Sequence, residues 1–116
     1  GTEEERGIYN NIVNIPLPPR STGALMRQKY EALVFPVLQN FEPELILISA
    51  GFDAHEADPL AELNWSTEDF SWLTERLCKI AEECCEGRLV STLEGGYDLE
   101  ALADSVKVHV KKLCEA

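Results

Sequence analysis

The sequence has few basic residues and no long apolar segment. Ten Lys and Arg residues stand against 21 Asp and Glu residues, which gives the 116-residue chain a formal net charge of −11. Such a surplus of acidic groups repels phosphates, so the sequence predicts no nucleic acid partner. No apolar stretch reaches membrane-spanning length, and we therefore expect no membrane partner either.

Cysteine is sparse and its spacing is uninformative. The four cysteines form no C-x-x-C pair and no other spacing typical of a zinc module; they are Cys78, Cys84, Cys85 and Cys114. We expect reduced thiols, which are typical of an intracellular protein. The predicted location is cytoplasmic, or nuclear if the source is eukaryotic.

The chain does contain enough apolar side chains for one core. Hydrophobic residues make up 45% of the sequence, and its length is that of one domain, so residues 1–116 are predicted to form a single domain. The first six residues, GTEEER, are charged and lack a start methionine. We expect the chain to be a piece of a longer protein.

Three segments have the pattern of β-strands, namely residues 12–17 (IVNIPL), 44–50 (ELILISA) and 88–93 (RLVSTL). The first is closed by prolines, which indicate a turn. The second is an almost unbroken apolar run. Such a run is typical of a strand that is covered on both faces, as in a parallel sheet.

Three amphipathic helices are predicted between and after these strands, over residues 22–40, 66–86 and 99–113. Pro36 is expected to kink the first helix or to end it early. Ser66 is expected to cap the second helix, and Gly87 to stop it.

The resulting order, β-α-β-α-β-α, predicts an α/β fold. We expect part of an open, mainly parallel sheet with helices on both faces. In such sheets, ligands bind beyond the carboxyl ends of the strands. Asp53 follows the strand that ends at Ala50, and Tyr97 follows the strand that ends at Leu93. Both side chains are therefore expected at the same edge.

The first of these loops, S-A-G-F-D-A-H-E-A-D-P, offers three candidate ligands. Asp53 follows a buried strand, so its carboxylate could hold a metal, or it could cap a turn. His55 could share that metal only if the loop curled tightly; otherwise it lies on the loop surface. Asp58 precedes Pro59, a pair that commonly opens a turn.

The second loop, Glu94-Gly95-Gly96-Tyr97, favours close approach of a ligand because paired glycines leave the backbone uncovered. Tyr97 could donate a hydrogen bond to a developing oxyanion. The alternative is a glycine turn that is followed by an interfacial tyrosine. His109 lies beside the apolar stripe of the last helix and is predicted to be a partly buried structural residue.

The segments S-A-G-F-D-A-H-E-A-D-P-L and L-E-G-G-Y-D-L, with N-I-P-L-P before them, closely resemble the C-terminal part of the histone deacetylase superfamily. The E-G-G-Y form is similar to class II and bacterial members. The resemblance runs from Asn10 to about Lys112. It implies an arginase–deacetylase-like sheet and a zinc-dependent amidohydrolase that hydrolyses the acetyl amide of acetyl-lysine or of an acetylpolyamine.

The resemblance also implies roles for individual residues. Asp53 matches a zinc ligand of the family, and Tyr97 matches the donor to the carbonyl oxygen in the transition state. Leu60 matches the leucine that lines the acyl-lysine tunnel. Gly95 and Gly96 belong to the same substrate-binding loop as Tyr97.

Other positions depart from the family or have no part in its metal site. His55 falls where the family has no ligand, Asp58 matches a loop aspartate beside the site, and Ala57 replaces a common glycine. Catalytic zinc needs about three protein ligands, and only Asp53 is recognisable. The family's histidine pair has no match either.

We therefore expect the chain to be the C-terminal portion of a deacetylase catalytic domain, with the remaining zinc ligands upstream of it. Alone, it is expected to be inactive. The alternative is a non-catalytic α/β module that binds a partner or self-associates through an exposed sheet edge.

Overall fold

The computed structural model describes residues 1–116 and has four α-helices and two β-strands. The strands are β1 (Ile46–Ala50) and β2 (Leu89–Leu93), and the helices are α1 (Gly23–Lys29), α2 (Phe35–Phe41), α3 (Thr67–Cys85) and α4 (Leu99–Glu115). β1 and β2 pair in parallel, with Ile46 opposite Leu89 and Ala50 opposite Leu93. The predicted α/β class and the parallel pairing of these two strands are confirmed.

The strand predicted at residues 12–17 does not form. This segment has no regular secondary structure, and the side chains of Ile12 and Val13 are 47% and 48% exposed. A β-strand needs a neighbour for its backbone hydrogen bonds, and the sheet contains β1 and β2 alone. The β-branched pattern of the segment was therefore misleading.

The first predicted helix contains an irregular turn before Pro36. A π-helical turn, Tyr30–Val34, joins α1 to α2, and Pro36 lies in the first turn of α2. Proline is tolerated at that position because the N–H that it lacks would have no partner there. The helical path consequently continues to Phe41 instead of ending early.

α3 begins and ends where the sequence predicts. The Ser66 side chain accepts a hydrogen bond from the Asp69 N–H, and the Asp69 carboxylate accepts one from the Ser66 N–H at 2.8 Å. This reciprocal pair is a capping box. At the other end, Glu86 and Gly87 have φ values of 55° and 77°, which stop the helix. Arg27 of α1 pairs with the buried Asp69 at 2.9 Å, so the cap also joins α1 to α3.

Within this chain, all four helices pack on one face of the two-stranded sheet. Ile46 and Ala50 are buried, whereas Leu47 and Val90 are 71% and 56% exposed. Side chains alternate between the two faces of a strand. α3 and the following α4 both return to the face of Ile46, and no element of the chain covers the other face.

His109 links β2, α3 and α4 inside the packed layer. Its Nδ1 lies 2.7 Å from Thr74 Oγ1, and its Nε2 lies 2.8 Å from Ser91 Oγ. Thr74 donates its hydroxyl proton to the Phe70 carbonyl, so it accepts from Nδ1–H and Nε2 accepts from Ser91. Burial lowers the pKa of His109 below 6.5. The predicted structural role of His109 is confirmed.

Two further sequence features are the cysteines and the absence of long apolar segments. All four cysteines are free thiols, two of them buried. No helix combines the length and the apolar character that are needed to cross a bilayer. The cytoplasmic location stays a prediction.

Candidate functional site

The two loops that follow β1 and β2 leave the sheet at the same edge. Ala50 and Leu93, the last residues of the strands, are opposite each other. The backbone pairing continues past them, since Glu94 N–H donates to the Ala50 carbonyl at 3.0 Å and Phe52 N–H donates to the Gly95 carbonyl at 2.8 Å. The predicted common edge for the Asp53 and Tyr97 loops is thereby confirmed.

The carboxylate of Asp53 lies directly against the backbone of two glycines. A Cβ atom placed on Gly95 would be 2.8 Å from both Cγ and Oδ1 of Asp53, and one on Gly51 would be 2.8 Å from Oδ1. Real side chains do not approach that closely. The position of the Asp53 carboxylate therefore requires that these residues have no side chains.

Asp53 differs from the three other aspartates near these loops because its carboxylate accepts no hydrogen bond. Asp58, Asp69 and Asp98 each accept at least one from a backbone N–H. The half-buried Asp53 carboxylate thus retains its lone pairs for a ligand outside the chain. Carboxylate oxygen is a normal ligand for zinc, so Asp53 fits one ligand of a metal site.

The chain does not contain a complete metal site. No group of three His, Cys, Asp or Glu side chains lies close enough together to hold an ion. A catalytic zinc has about three protein ligands. Asp53 can consequently serve only as one part of a site whose other ligands come from elsewhere.

Tyr97 stands at the exposed end of the glycine loop, with 56% of its surface accessible. Gly96, just before it, has a φ of 142°, a conformation that other residues rarely adopt. Asp98, just after it, caps α4 by accepting from the Ala101 N–H at 2.9 Å. The tyrosine is therefore placed between a glycine turn and a helix start, and its hydroxyl is free to meet a ligand.

Asp58 connects the two loops, which the sequence did not indicate. It is 7% exposed, and its Oδ2 accepts from the Tyr97 N–H at 2.7 Å while its Oδ1 accepts from the Leu60 N–H at 2.9 Å. Burial disfavours the charged form, but hydrogen bonds from backbone N–H groups, first those of Leu60 and Tyr97, outweigh it and lower the pKa of Asp58. An Asp-Pro pair signals a turn and carries no information about the distant partner.

Leu60 lies on the loop that Asp58 anchors, and its side chain is 65% exposed. A leucine with that much accessible surface beside the site edge is available to line a pocket with other residues. Its assignment to a substrate tunnel stays a prediction.

His55 forms no hydrogen bond with Asp53, and both of its ring nitrogens have other partners, one in the loop and one at the start of α3. Nδ1 accepts from the Ala57 N–H at 3.1 Å, so Nε2 carries the proton and donates to Thr67 Oγ1 at 3.0 Å. The ring also stacks on Phe70. His55 therefore shapes the loop and has no lone pair free for a metal.

Comparison with known proteins places these features in one family. The profile of the histone deacetylase domain matches residues 1–113. Histone deacetylase 14, chloroplastic, of Arabidopsis thaliana is 46% identical over 94 residues, which are 81% of this chain and 22% of that protein. Type-2 histone deacetylase 1 of Dictyostelium discoideum is 44% identical over 90% of this chain and 7% of its own length.

A solved structure shows the same fold. The HD domain of HDA15 superposes with a TM-score of 0.81 and 30% sequence identity, covering 89% of this chain and 28% of that one. The chain spans 22% of the length of the Arabidopsis relative and 7% of the length of the Dictyostelium relative. By its sequence and its fold, the chain belongs to the histone deacetylase family.

Proposed function

We propose that the chain is the C-terminal portion of a zinc-dependent deacetylase, which hydrolyses the acetyl amide of acetyl-lysine or of an acetylpolyamine. The observation that carries this proposal is the pairing of two loops at one sheet edge. One loop presents Asp53, whose carboxylate has no partner in the chain, and the other presents the exposed Tyr97. An unused carboxylate beside an exposed phenol suits a site that is completed by other residues.

Tyr97 acts as a hydrogen-bond donor in this proposal. When water attacks the acetyl carbonyl, the carbonyl oxygen gains negative charge, and a fixed O–H donor stabilises it most in the transition state. The glycine turn before Tyr97 lets the substrate approach the backbone closely, which assigns Gly95 and Gly96 to substrate binding. Leu60 would contribute apolar surface for the aliphatic part of the acyl-lysine.

Asp53 acts as one zinc ligand. When bound, zinc would act as a Lewis acid toward the carbonyl and would lower the pKa of water. The carboxylate lies against Gly51 and Gly95, and this contact restricts its orientation before any metal arrives. Because the other ligands are expected upstream of this chain, residues 1–116 alone should be inactive. We propose that these residues are one part of a larger catalytic domain.

A second candidate function is a non-catalytic α/β module that binds a partner or a second copy. The open sheet face favours it, because Leu47 and Val90 expose apolar surface there. The source reading frame discriminates between the two. An upstream His-His pair and an upstream Asp-x-His would favour the enzyme, whereas their absence from the frame would favour the module.

The proposed function is tested by Tyr97→Phe in the protein expressed from its complete reading frame. This variant removes the hydroxyl and retains the ring. We expect kcat on an acetyl-lysine peptide to fall by about 10²–10³-fold, the usual loss of one oxyanion donor. KM and zinc content should change little, because the ground-state carbonyl is a weaker acceptor.

Tyr9→Phe is the matched control, since Tyr9 is 85% exposed and lies outside both loops. It should leave kcat unchanged. Near-wild-type kcat in Tyr97→Phe would show that the tyrosine is structural and would contradict the proposed chemistry.

A further inference from the structure

The two carboxylate oxygens of Asp58 accept hydrogen bonds from two different loops. Oδ1 accepts from the Leu60 N–H at 2.9 Å, a contact within its own loop, whereas Oδ2 accepts from the Tyr97 N–H at 2.7 Å across 39 positions of sequence. The first contact is an ordinary Asx turn. The second contact is not needed for this turn, because the first contact closes it.

Tyr97 has few other restraints in this chain. Its side chain is 56% exposed, its hydroxyl has no hydrogen-bond partner, and the two residues before it are glycines. The Gly95 carbonyl accepts from the Phe52 N–H at 2.8 Å, but Gly96, which lies between that bond and Tyr97, has no side chain to pack. The Tyr97 N–H is attached directly to the backbone that aims the ring, and a hydrogen bond to a carboxylate is about twice as strong as one between neutral groups.

The acceptor is itself held rigidly. Asp58 is 7% exposed and lies in a loop that is tied to the first residue of α3 by the His55–Thr67 contact at 3.0 Å. The Glu56 N–H to Trp65 carbonyl bond, at 2.8 Å, ties the same loop to the segment just before α3. The Tyr97 N–H, which donates to this carboxylate, is therefore restrained by the same contacts. Burial also keeps water from competing for the carboxylate.

We propose that Asp58 is a positioning residue: its carboxylate holds Tyr97 and Leu60 at a fixed separation, so that the phenol meets the substrate carbonyl while the leucine borders the acyl group. This inference rests on the proposed function. Asp58 does not touch the substrate, and it acts through Tyr97. The two loops consequently behave as one rigid unit at the site edge.

The test is Asp58→Asn in the complete protein. Asparagine has one carbonyl oxygen and one NH₂ group, so in either orientation the NH₂ faces Leu60 N–H or Tyr97 N–H and repels it. We expect kcat to fall by about 10–100-fold, as for other small misplacements of a catalytic group. In a Tyr97→Phe background, the same substitution should cause no further loss of kcat, because the hydroxyl that it aims is already gone.

Asp98→Asn is the matched control. Asp98 is next to Tyr97 and caps α4, and asparagine caps helices as well as aspartate does. The control removes the same charge at a position next to Tyr97 and should leave kcat unchanged. Equal losses in both variants would assign the effect to charge and would overturn the positioning role.

A second readout does not depend on activity. The Tyr97 amide should exchange its proton slowly in the wild-type protein and faster in Asp58→Asn, but at the wild-type rate in Asp98→Asn. Exchange of the wild-type Tyr97 amide at the unstructured rate would overturn the inference by itself, even if Asp58→Asn failed to fold.

The outcomes also separate this inference from the proposed function. If Tyr97→Phe keeps its kcat, the proposed function fails, whatever Asp58→Asn does. If Tyr97→Phe loses kcat while Asp58→Asn retains it, the function stands and the positioning role fails. Additive losses in the double variant would likewise contradict an action through Tyr97.

Discussion

His109 and Asp53 both lie next to the sheet, yet their surroundings are opposite. His109 is 7% exposed, and both of its ring nitrogens are hydrogen-bonded to side chains of other elements. Asp53 is half-buried, and its carboxylate accepts no hydrogen bond although it lies against two glycines. His109 finds its partners within the chain, whereas Asp53, the proposed metal ligand, does not.

The same contrast separates the two candidate ligands of the first loop. Both ring nitrogens of His55 have partners within the chain, at 3.1 Å and 3.0 Å, and His55 resembles His109 in this respect. Hydrogen-bond partners therefore decide between Asp53 and His55 where spacing in the sequence cannot.

The largest expected effect comes from giving the glycine loop a side chain. In Gly95→Ala, the new Cβ would lie 2.8 Å from Cγ of Asp53, so the carboxylate must move. We expect the complete protein to lose zinc and to lose more than about 100-fold in kcat/KM. Kinetics and metal analysis of the purified variant measure both.

Gly87→Ala is the control for that variant. A Cβ on Gly87 meets no atom within 4 Å, but its φ of 77° is unfavourable for alanine. Stability should fall by about 1–2 kcal/mol, with zinc content and kcat unchanged. Normal zinc and activity in Gly95→Ala would mean that Asp53 does not need the position seen here.

His109→Ala should reduce stability without affecting the site edge. The substitution leaves the Ser91 hydroxyl without its acceptor and removes the contact with Phe52. We expect a loss of roughly 2–4 kcal/mol in the free energy of unfolding, measured by chemical denaturation. Val110→Ala, at an exposed position of the same helix, should cost far less.

The contribution of His109 to the free energy of unfolding should also depend on pH. Burial lowers the pKa of His109 in the folded state, so the unfolded chain takes up the proton first as pH falls. The stability that neutral His109 provides is complete above its unfolded pKa of 6.5 and is lost as pH falls through the lower folded value. The difference in stability between wild type and His109→Ala should shrink over that range, and a constant difference would contradict this account.

Much of the fold follows from local patterns. The apolar run at residues 44–50 and the Ser66 cap predicted β1 and the start of α3. The order of strand, helix and strand then requires a parallel pair, which places Asp53 and Tyr97 at one edge. These inferences hold because each depends on neighbouring residues and on chain handedness.

The errors arise where distant residues decide the outcome. Ile12 and Val13 have the side chains of a strand but no partner strand. The π-helical turn adds a residue to the helical repeat, so Phe35 turns inward to 2% exposure while Leu33 and Val37 turn outward. A constant period of 3.6 residues does not describe the exposure of these three positions.

The site could be predicted only in part for the same reason. Motif resemblance singled out Asp53 and Tyr97, whose roles stay predictions. The link from Asp58 to Tyr97 spans 39 positions, and no periodicity or motif in the sequence marks such a contact.

The most direct test of the central claim is the zinc content of the complete protein and its Asp53→Asn and His55→Asn variants, measured by atomic emission after dialysis. Asn retains a weak oxygen donor at position 53 but lacks the charge that zinc prefers. We expect stoichiometric zinc in wild type and in His55→Asn, and loss of zinc from Asp53→Asn with partial recovery of activity in excess metal. Wild-type zinc affinity in Asp53→Asn, or loss of zinc from a folded His55→Asn, would contradict it.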